Sequence, residues 1–332
     1  MYSRGFRMNK PVLWLLSAAL FFSGSLVFAA DAQNVTKLTH ESKPLLDLGA
    51  ELDSSRPKVK KSVARKAAPH APVAKQTSTA STPAVGAIGN NTIHWGYTGA
   101  SGPQHWGDLA PENIMCKIGK NQSPIDLRDN AAVGTIGLPQ LDVVYQNVPL
   151  KVINNGHTVQ VNYPLGSYIK VGGHRYELLQ FHFHTPSEHK KEGFNYPMEM
   201  HLVHKDGDGH LAVMSILFQE GEENETLDAL LANLPRDVGK QHVHKDASLN
   251  PAGFIPANTD FYKYSGSLTT PPCSEGVYWM VFKQPIQASA EQIQQLNELM
   301  GDNSRPFQAT NARSVLKSWA DQLQEPPLYE FY

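Results

Sequence analysis

Five stretches between residues 141 and 219 leave this chain few folds to choose from. "LDVVYQ", "LKVINNGHTVQVNY", "SYIKVGGHRYELLQFHFH", "MEMHLVHK" and "HLAVMSILFQ" are dense in β-branched and aromatic residues, with turn residues between them. Such side chains crowd the turns of a helix but fit a pleated sheet. Gly172-Gly173 and the "DGDG" at 206–209 read as hairpin turns. Helix signals are few. "EENETLDALLANL" (222–234) is one, and "SAEQIQQLNELM" (289–300) is another, opened by Ser289 and Gln292 as a capping box. No internal repeat is visible. The pattern predicts one mostly β domain with short helices outside the sheet.

That domain begins near residue 91 and is expected over 91–332. Ahead of it, Arg4, Arg7 and Lys10 precede the apolar run "PVLWLLSAALFFSGSLVFAA", which marks 1–30 as an export signal peptide. Val27-Phe28-Ala29 and Ala30-Asp31-Ala32 are two alternative cleavage sites. Met8 opens a complete signal by itself. A retained anchor stays open, because Val12 to Ala30 is nearly long enough to span a bilayer, although Ser17, Ser23, Gly24 and Ser25 weaken it.

Residues 31–90 read as a disordered tether rich in Ala, Pro, Lys and Thr. Arg56, Lys58, Lys60, Lys61, Arg65, Lys66 and Lys75 make it basic, and no acidic residue occurs from Ser54 to Gly107. It is either a solvated spacer or a contact for an anionic envelope surface. Residues 38–52 carry a weak helix signal. A formal net charge of -2 for the whole chain gives no reason to expect nucleic acid as a partner.

Cys116 and Cys273 are the two cysteines. In an exported chain a lone pair implies one disulfide, with two buried free thiols as the alternative. The bridge would close a very long loop, worth roughly 4–5 kcal/mol in the chain-entropy model.

"QFHFHTPSEH", residues 180–189, bears the chemistry. With 177–184 as a strand, Gln180, His182 and His184 share one face and Leu179, Phe181 and Phe183 the other. The apolar face enters a core, so the histidine face opens elsewhere. In "MEMHLVH", Glu199, His201 and Val203 likewise share a face. Antiparallel pairing would set His201 beside His182 and His184. Three histidines without a fourth protein ligand describe a catalytic zinc site with an open position. Glu199 and Gln180 stand two residues before His201 and His182, placed to take a second ring N–H from each. "KQHVHKD" repeats the spacing at His242 and His244, but it lies among charged residues and reads as an exposed loop.

On "HWGY", "QSPID", "NNGH", "QFHFH…SEH", "EMHLVH" and "GSLTTPP", the chain resembles the α-class carbonic anhydrases from about residue 93 to 318. The resemblance implies a large twisted, mainly antiparallel central sheet of about ten strands with short peripheral helices, and zinc at the bottom of a conical cleft. It implies that Zn2+ is held by His182, His184 and His201, and that a water ionised on the metal attacks carbon dioxide to give bicarbonate. Thr269 matches the gatekeeper that orients this oxygen, and Glu188 the carboxylate that receives the hydroxyl hydrogen of Thr269. Thr270 matches a bicarbonate contact. Val203, Val213, Leu268, Val277 and Trp279 match the apolar wall that receives carbon dioxide.

His157 matches the proton shuttle, and Tyr97 and Asn155 match residues that order water beside it, with Gln160 at a usually polar place. Cys116 and Cys273 match a disulfide of secreted members. His94, His105, His189 and His204 match structural histidines. Thr185 stands where animal members usually have tryptophan; bacterial members resemble this chain. The implied enzyme is a lyase of the periplasm or another exported compartment. Bacterial relatives are commonly dimers, which leaves a homodimer open. The alternative is a non-catalytic binding or scaffold module acting through the tether. Relatives of that kind have lost zinc histidines, whereas this chain keeps all three.

Overall fold

A computed structural model describes residues 94–135 and 137–320. The expected signal peptide, the tether and the 38–52 helix lie outside the described residues. Alternation in the sequence becomes a 13-stranded sheet. Its main path runs Gln241–Leu249, Val148–Asn154, Val159–Asn162, His174–His184, Met198–Lys205, Leu211–Glu220, Glu275–Phe282, Phe261–Ser267, Leu316–Lys317, Val133–Gly134. Leu141–Val144, Tyr168–Val171 and Ile286–Ala288 pair off this path, which takes the sheet beyond the expected ten or so strands. Most neighbours are antiparallel, but Leu211–Glu220 runs parallel to both Glu275–Phe282 and Ile286–Ala288.

Local sequence explains the joints. Gly172 and Gly173 adopt φ of 60° and 82°, the left-handed pair that a two-residue hairpin needs between Tyr168–Val171 and His174–His184. "DGDG" joins Met198–Lys205 to Leu211–Glu220, with Asp206 Oδ1 accepting from the backbone N–H groups of Asp208 and His210. The expected capping box is present: Ser289 Oγ accepts from Gln292 N, and Gln292 Oε1 from Ser289 N, at the head of the Ala290–Met300 helix. The other helix is shorter than its sequence signal, covering Glu225–Leu231 with Asn224 as its cap.

Alternate residues of Leu211–Glu220 divide between two buried clusters. Ala212, Met214, Ile216 and Phe218 join the larger one, and Leu211, Val213 and Leu217 the smaller. Both faces of this strand are covered, which is why its sequence is apolar without a break. The His174–His184 strand sends Phe181 and Phe183 into the larger cluster, each side chain contributing about 1.5–3 kcal/mol by burial. Its histidines face the other way, toward the smaller cluster's side of the sheet.

One reading is overturned. "QHVH" is not a loop but part of the Gln241–Leu249 edge strand, with His242 opposite Val152 and His244 opposite Leu150. Val148–Asn154 supplies the apolar surface that the histidine segment lacks, so pairing overrides local polarity.

Candidate metal centre

Two adjacent strands build the centre. Met198–Lys205 pairs antiparallel with His174–His184 so that His201 lies directly opposite His182 and Glu199 opposite His184. Both strands must present their apolar faces to the same core, and this fixes the register. The donor atoms of His182, His184 and His201 lie within 4.8 Å of one another. His184 and His201 are buried, while His182 is half-buried.

Each ring has one nitrogen engaged and one left over. His182 Nδ1 donates to Gln180 Oε1 at 2.8 Å, and His184 Nδ1 to the Asn303 carbonyl at 2.8 Å. His201 Nε2 donates to Glu199 Oε1 at 2.7 Å. That leaves Nε2, Nε2 and Nδ1 facing a shared space. His184 Nε2 is buried with no hydrogen-bond partner among the described residues, an uncommon and costly state for a ring nitrogen. Burial pushes the pKa of all three imidazoles down, with neighbouring histidines adding to the effect at His182. They are therefore neutral at physiological pH, the form that binds a metal. Three neutral nitrogens converging on one point fit Zn2+ in a site with an open position.

Glu199 is not a fourth ligand, because its oxygens are taken. Oε1 accepts from His201 Nε2, from His189 Nδ1 at 2.6 Å and from Ser215 Oγ at 2.5 Å. Oε2 accepts from the backbone N–H groups of Glu188 and His189. Burial alone would raise its pKa, but His189 and His201, with their N–H groups, hold it well below the usual carboxylate range. His189 in turn reaches Tyr264 Oη at 2.8 Å, so it belongs to the scaffold.

Glu188 lies closer to the converging nitrogens. Its Oε2 is 3.6 Å from His184 Nε2 and 3.9 Å from His201 Nδ1, and makes no hydrogen bond of ordinary geometry among the described residues. Oε1 accepts from Arg305 N at 2.9 Å. Burial raises this carboxyl to about 7, against the downward pull of His201, the Thr269 hydroxyl and the Arg305 N–H. Thr269 is itself buried, and Thr270 half-buried.

The five apolar side chains expected to meet carbon dioxide pack together. Val203, Val213, Leu268, Val277 and Trp279 all belong to the smaller buried cluster. Val213 sits between Val203 and Trp279 in adjacent strands, and the Trp279 ring centre is 4.9 Å from that of His201.

His157 lies in the turn between Val148–Asn154 and Val159–Asn162, half-buried and stacked on Trp95. Asn155 builds that turn, its Oδ1 accepting from the backbone N–H groups of His157 and Thr158. Tyr97 packs edge-on against Trp95 and Trp106, and its phenol pKa is raised by burial and then by Glu188. Gln160 is paired opposite His182 and donates to Asn162 Oδ1. His204 is buried in the larger core side against Tyr145, and His105 is exposed.

Cys116 and Cys273 are joined in a disulfide. Two residues without any sequence signal tie this region to the centre. Arg305, also buried, donates from Nη1 to Gln122 Oε1 and the Ser123 carbonyl and from Nη2 to the Cys116 carbonyl, while its backbone N–H holds Glu188. Asn303 receives His184 and also donates from Nδ2 to the carbonyls of His157 and Phe183. Both come from an irregular stretch, "DNSRPF", where no periodicity marks a residue as buried.

Residues 101–319 match the family model described as eukaryotic-type carbonic anhydrase. A carbonic anhydrase of Nostoc sp. is 46% identical over 229 residues, covering 68% of this chain and 87% of that protein. One from Pectobacterium atrosepticum is 40% identical over 232 residues, covering 69% and 93%. The α-carbonic anhydrase of Thermovibrio ammonificans, solved with the inhibitor sulfanilamide, superposes with a TM-score of 0.65 at 49% identity, over 67% of this chain and 98% of that one.

Proposed function

The chain belongs to the eukaryotic-type, α-class carbonic anhydrases, lyases that hydrate carbon dioxide reversibly, and we propose that it does so with zinc held by His182, His184 and His201. The observation that carries the zinc assignment is the convergence of three unclaimed ring nitrogens, one of them buried and without a partner. When bound, zinc supplies a Lewis acid that lets a water ionise near neutral pH.

The rest is the work of side chains. Thr269 gives its hydroxyl hydrogen to Glu188 and turns a lone pair toward the cleft, fixing the direction of the attacking oxygen. Val203, Val213, Leu268, Val277 and Trp279 offer an apolar, water-poor surface to a linear apolar substrate. Thr270 contacts the bicarbonate product. His157 accepts the proton released and passes it outward, with Tyr97 beside it. Asn155 contributes by shaping the turn that carries His157. Gln180 and Glu199 hold the rings of His182 and His201 in the tautomer that metal binding needs.

The disulfide supports an oxidising compartment, in keeping with a signal at 1–30 and a tether at 31–90 ahead of the catalytic domain. No observation favours the scaffold alternative, since no histidine of the set is missing.

The test is His201→Ala. We expect loss of bound zinc together with activity, read by metal analysis and carbon dioxide hydration on one sample. A variant that keeps stoichiometric, tightly held zinc would overturn the ligand assignment.

A further inference from the structure

We propose that His242 and His244, with Asp237, form a second metal site at the edge of the sheet, suited to a divalent ion of the copper(II) class. The site is separate from the candidate metal centre. His242 heads a row that crosses to Val152, then Val161, then Phe181 on successive strands. Side chains in such a row share one face of the sheet, and residues two apart on a strand share it too. Phe181 and His182 point to opposite faces, so His242 and His244 lie on the far side of the sheet from the three converging histidines.

The nitrogens of this pair carry the argument. Among the described residues, three ring nitrogens are buried without a hydrogen-bond partner: Nε2 of His184, His242 and His244. The first belongs to the candidate metal centre. A buried polar atom left unpaired is uncommon and costly, and two on neighbouring rings of one face call for a shared partner. A cation that accepts both lone pairs is such a partner.

A carboxylate stands beside them. Asp237 Oδ2 is 3.9 Å from His242 Nε2. That is too long for a hydrogen bond, yet within the roughly 4 Å between two atoms that each lie about 2.0–2.1 Å from one ion. The segment bearing Asp237 is fixed to the sheet. Val238 bridges to Asn154, and Gly239 N donates to the Asn154 carbonyl at 2.7 Å. The two rings stack with planes at 14° and centres 6.3 Å apart, against 5.0 Å for His182 and His184. They must tilt toward each other to share an ion, so the site binds more weakly than the candidate metal centre. Both histidines are half-buried on an edge strand, where a ring has room to turn. Two imidazoles and one carboxylate, with further positions open to water, suit the tetragonal preference of copper(II), which also stands highest in the divalent affinity order.

The test adds copper(II) to the full chain with zinc already bound. Electron paramagnetic resonance counts the coupled imidazole nitrogens, and competition with a copper chelator gives the affinity. We expect one copper per chain beyond the zinc, with two imidazoles coupled to it. His242→Gln and His244→Gln should each weaken binding about 10–100-fold, at least as much as the loss of a supporting contact. Asp237→Asn should weaken it about two- to fivefold, the worth of an exposed carboxylate. Zinc content and hydration should be unaltered in all three variants, which also reports that they fold. Wild-type affinity in either histidine variant would overturn the shared site. So would copper taken up only in exchange for released zinc, or no uptake at micromolar copper. A wild-type spectrum without two coupled imidazoles would overturn it independently of any variant.

Discussion

The main-chain carbonyl of Asn303 accepts a hydrogen bond of 2.8 Å from Nδ1 of His184, across 119 residues of sequence. The same residue's side chain accepts from Thr185 N and donates to the carbonyls of Phe183 and His157, each at 2.8–2.9 Å. Asn303 is fully buried. A single residue outside the sheet therefore sets the tautomer of one ring of the candidate metal centre and the position of the turn bearing His157, the proposed proton acceptor.

Asn303→Ala should accordingly damage two properties at once. Freed of its side-chain anchors, the carbonyl shifts from His184, and zinc affinity should fall about 10–100-fold, as is usual when such supporting contacts are lost. Hydration in weak buffer should slow as well. Competition with a chelator measures the first effect. His157→Ala is the control, which should retain wild-type zinc affinity. Wild-type affinity in Asn303→Ala would contradict this account.

The disulfide links residues 157 apart in sequence, and loops that long restrict the unfolded chain strongly. Its removal should cost roughly 5 kcal/mol in the chain-entropy limit. Urea unfolding of the zinc-loaded protein with and without reductant, and of Cys116→Ser with Cys273→Ser, should show a large drop in midpoint. Cys273 N donates to the Thr270 carbonyl, so the loop bearing Thr269 and Thr270 should loosen and hydration decline. An unchanged midpoint would mean that the bridge constrains nothing.

His204 gives a pH dependence with a definite sign. Burial lowers its pKa to about 3, although hydrogen bonds to the Ala212 and Leu202 carbonyls favour the charged form. In the unfolded chain an ordinary histidine titrates near 6.5. Between these values the unfolded state binds a proton that the folded state refuses, so stability rises with pH. The contribution is complete above the unfolded value and is lost as pH falls from about 6.5 toward about 3. His204→Gln should flatten this part of the stability profile, measured by urea unfolding from neutral pH down to about 4. Parallel profiles for the two proteins would contradict the assignment.

Much of the centre was legible because a strand offers only two faces. Once Phe181 and Phe183 go into the core, His182 and His184 lack any choice of direction, and the same rule places His201 opposite them. The support for Glu199 was legible only in part. Its bond to His201 follows from the two-residue spacing, but His189 and Ser215 arrive from elsewhere in the chain and leave no local trace. Asn303 and Arg305 were invisible for the same reason: each is an isolated polar residue in an aperiodic stretch, and only the fold shows that it is buried. "QHVH" misled in the opposite direction. Its own polarity suggests a loop, while the neighbouring strand supplies what it needs to pair.

The most direct test measures stopped-flow carbon dioxide hydration and zinc content on the same preparation, before and after removal of metal with a chelator. One zinc per chain with fast hydration is expected, with loss of activity on removing the metal and recovery on adding back one equivalent of zinc. Fast hydration by the metal-free protein, or none by the fully loaded protein, would contradict it.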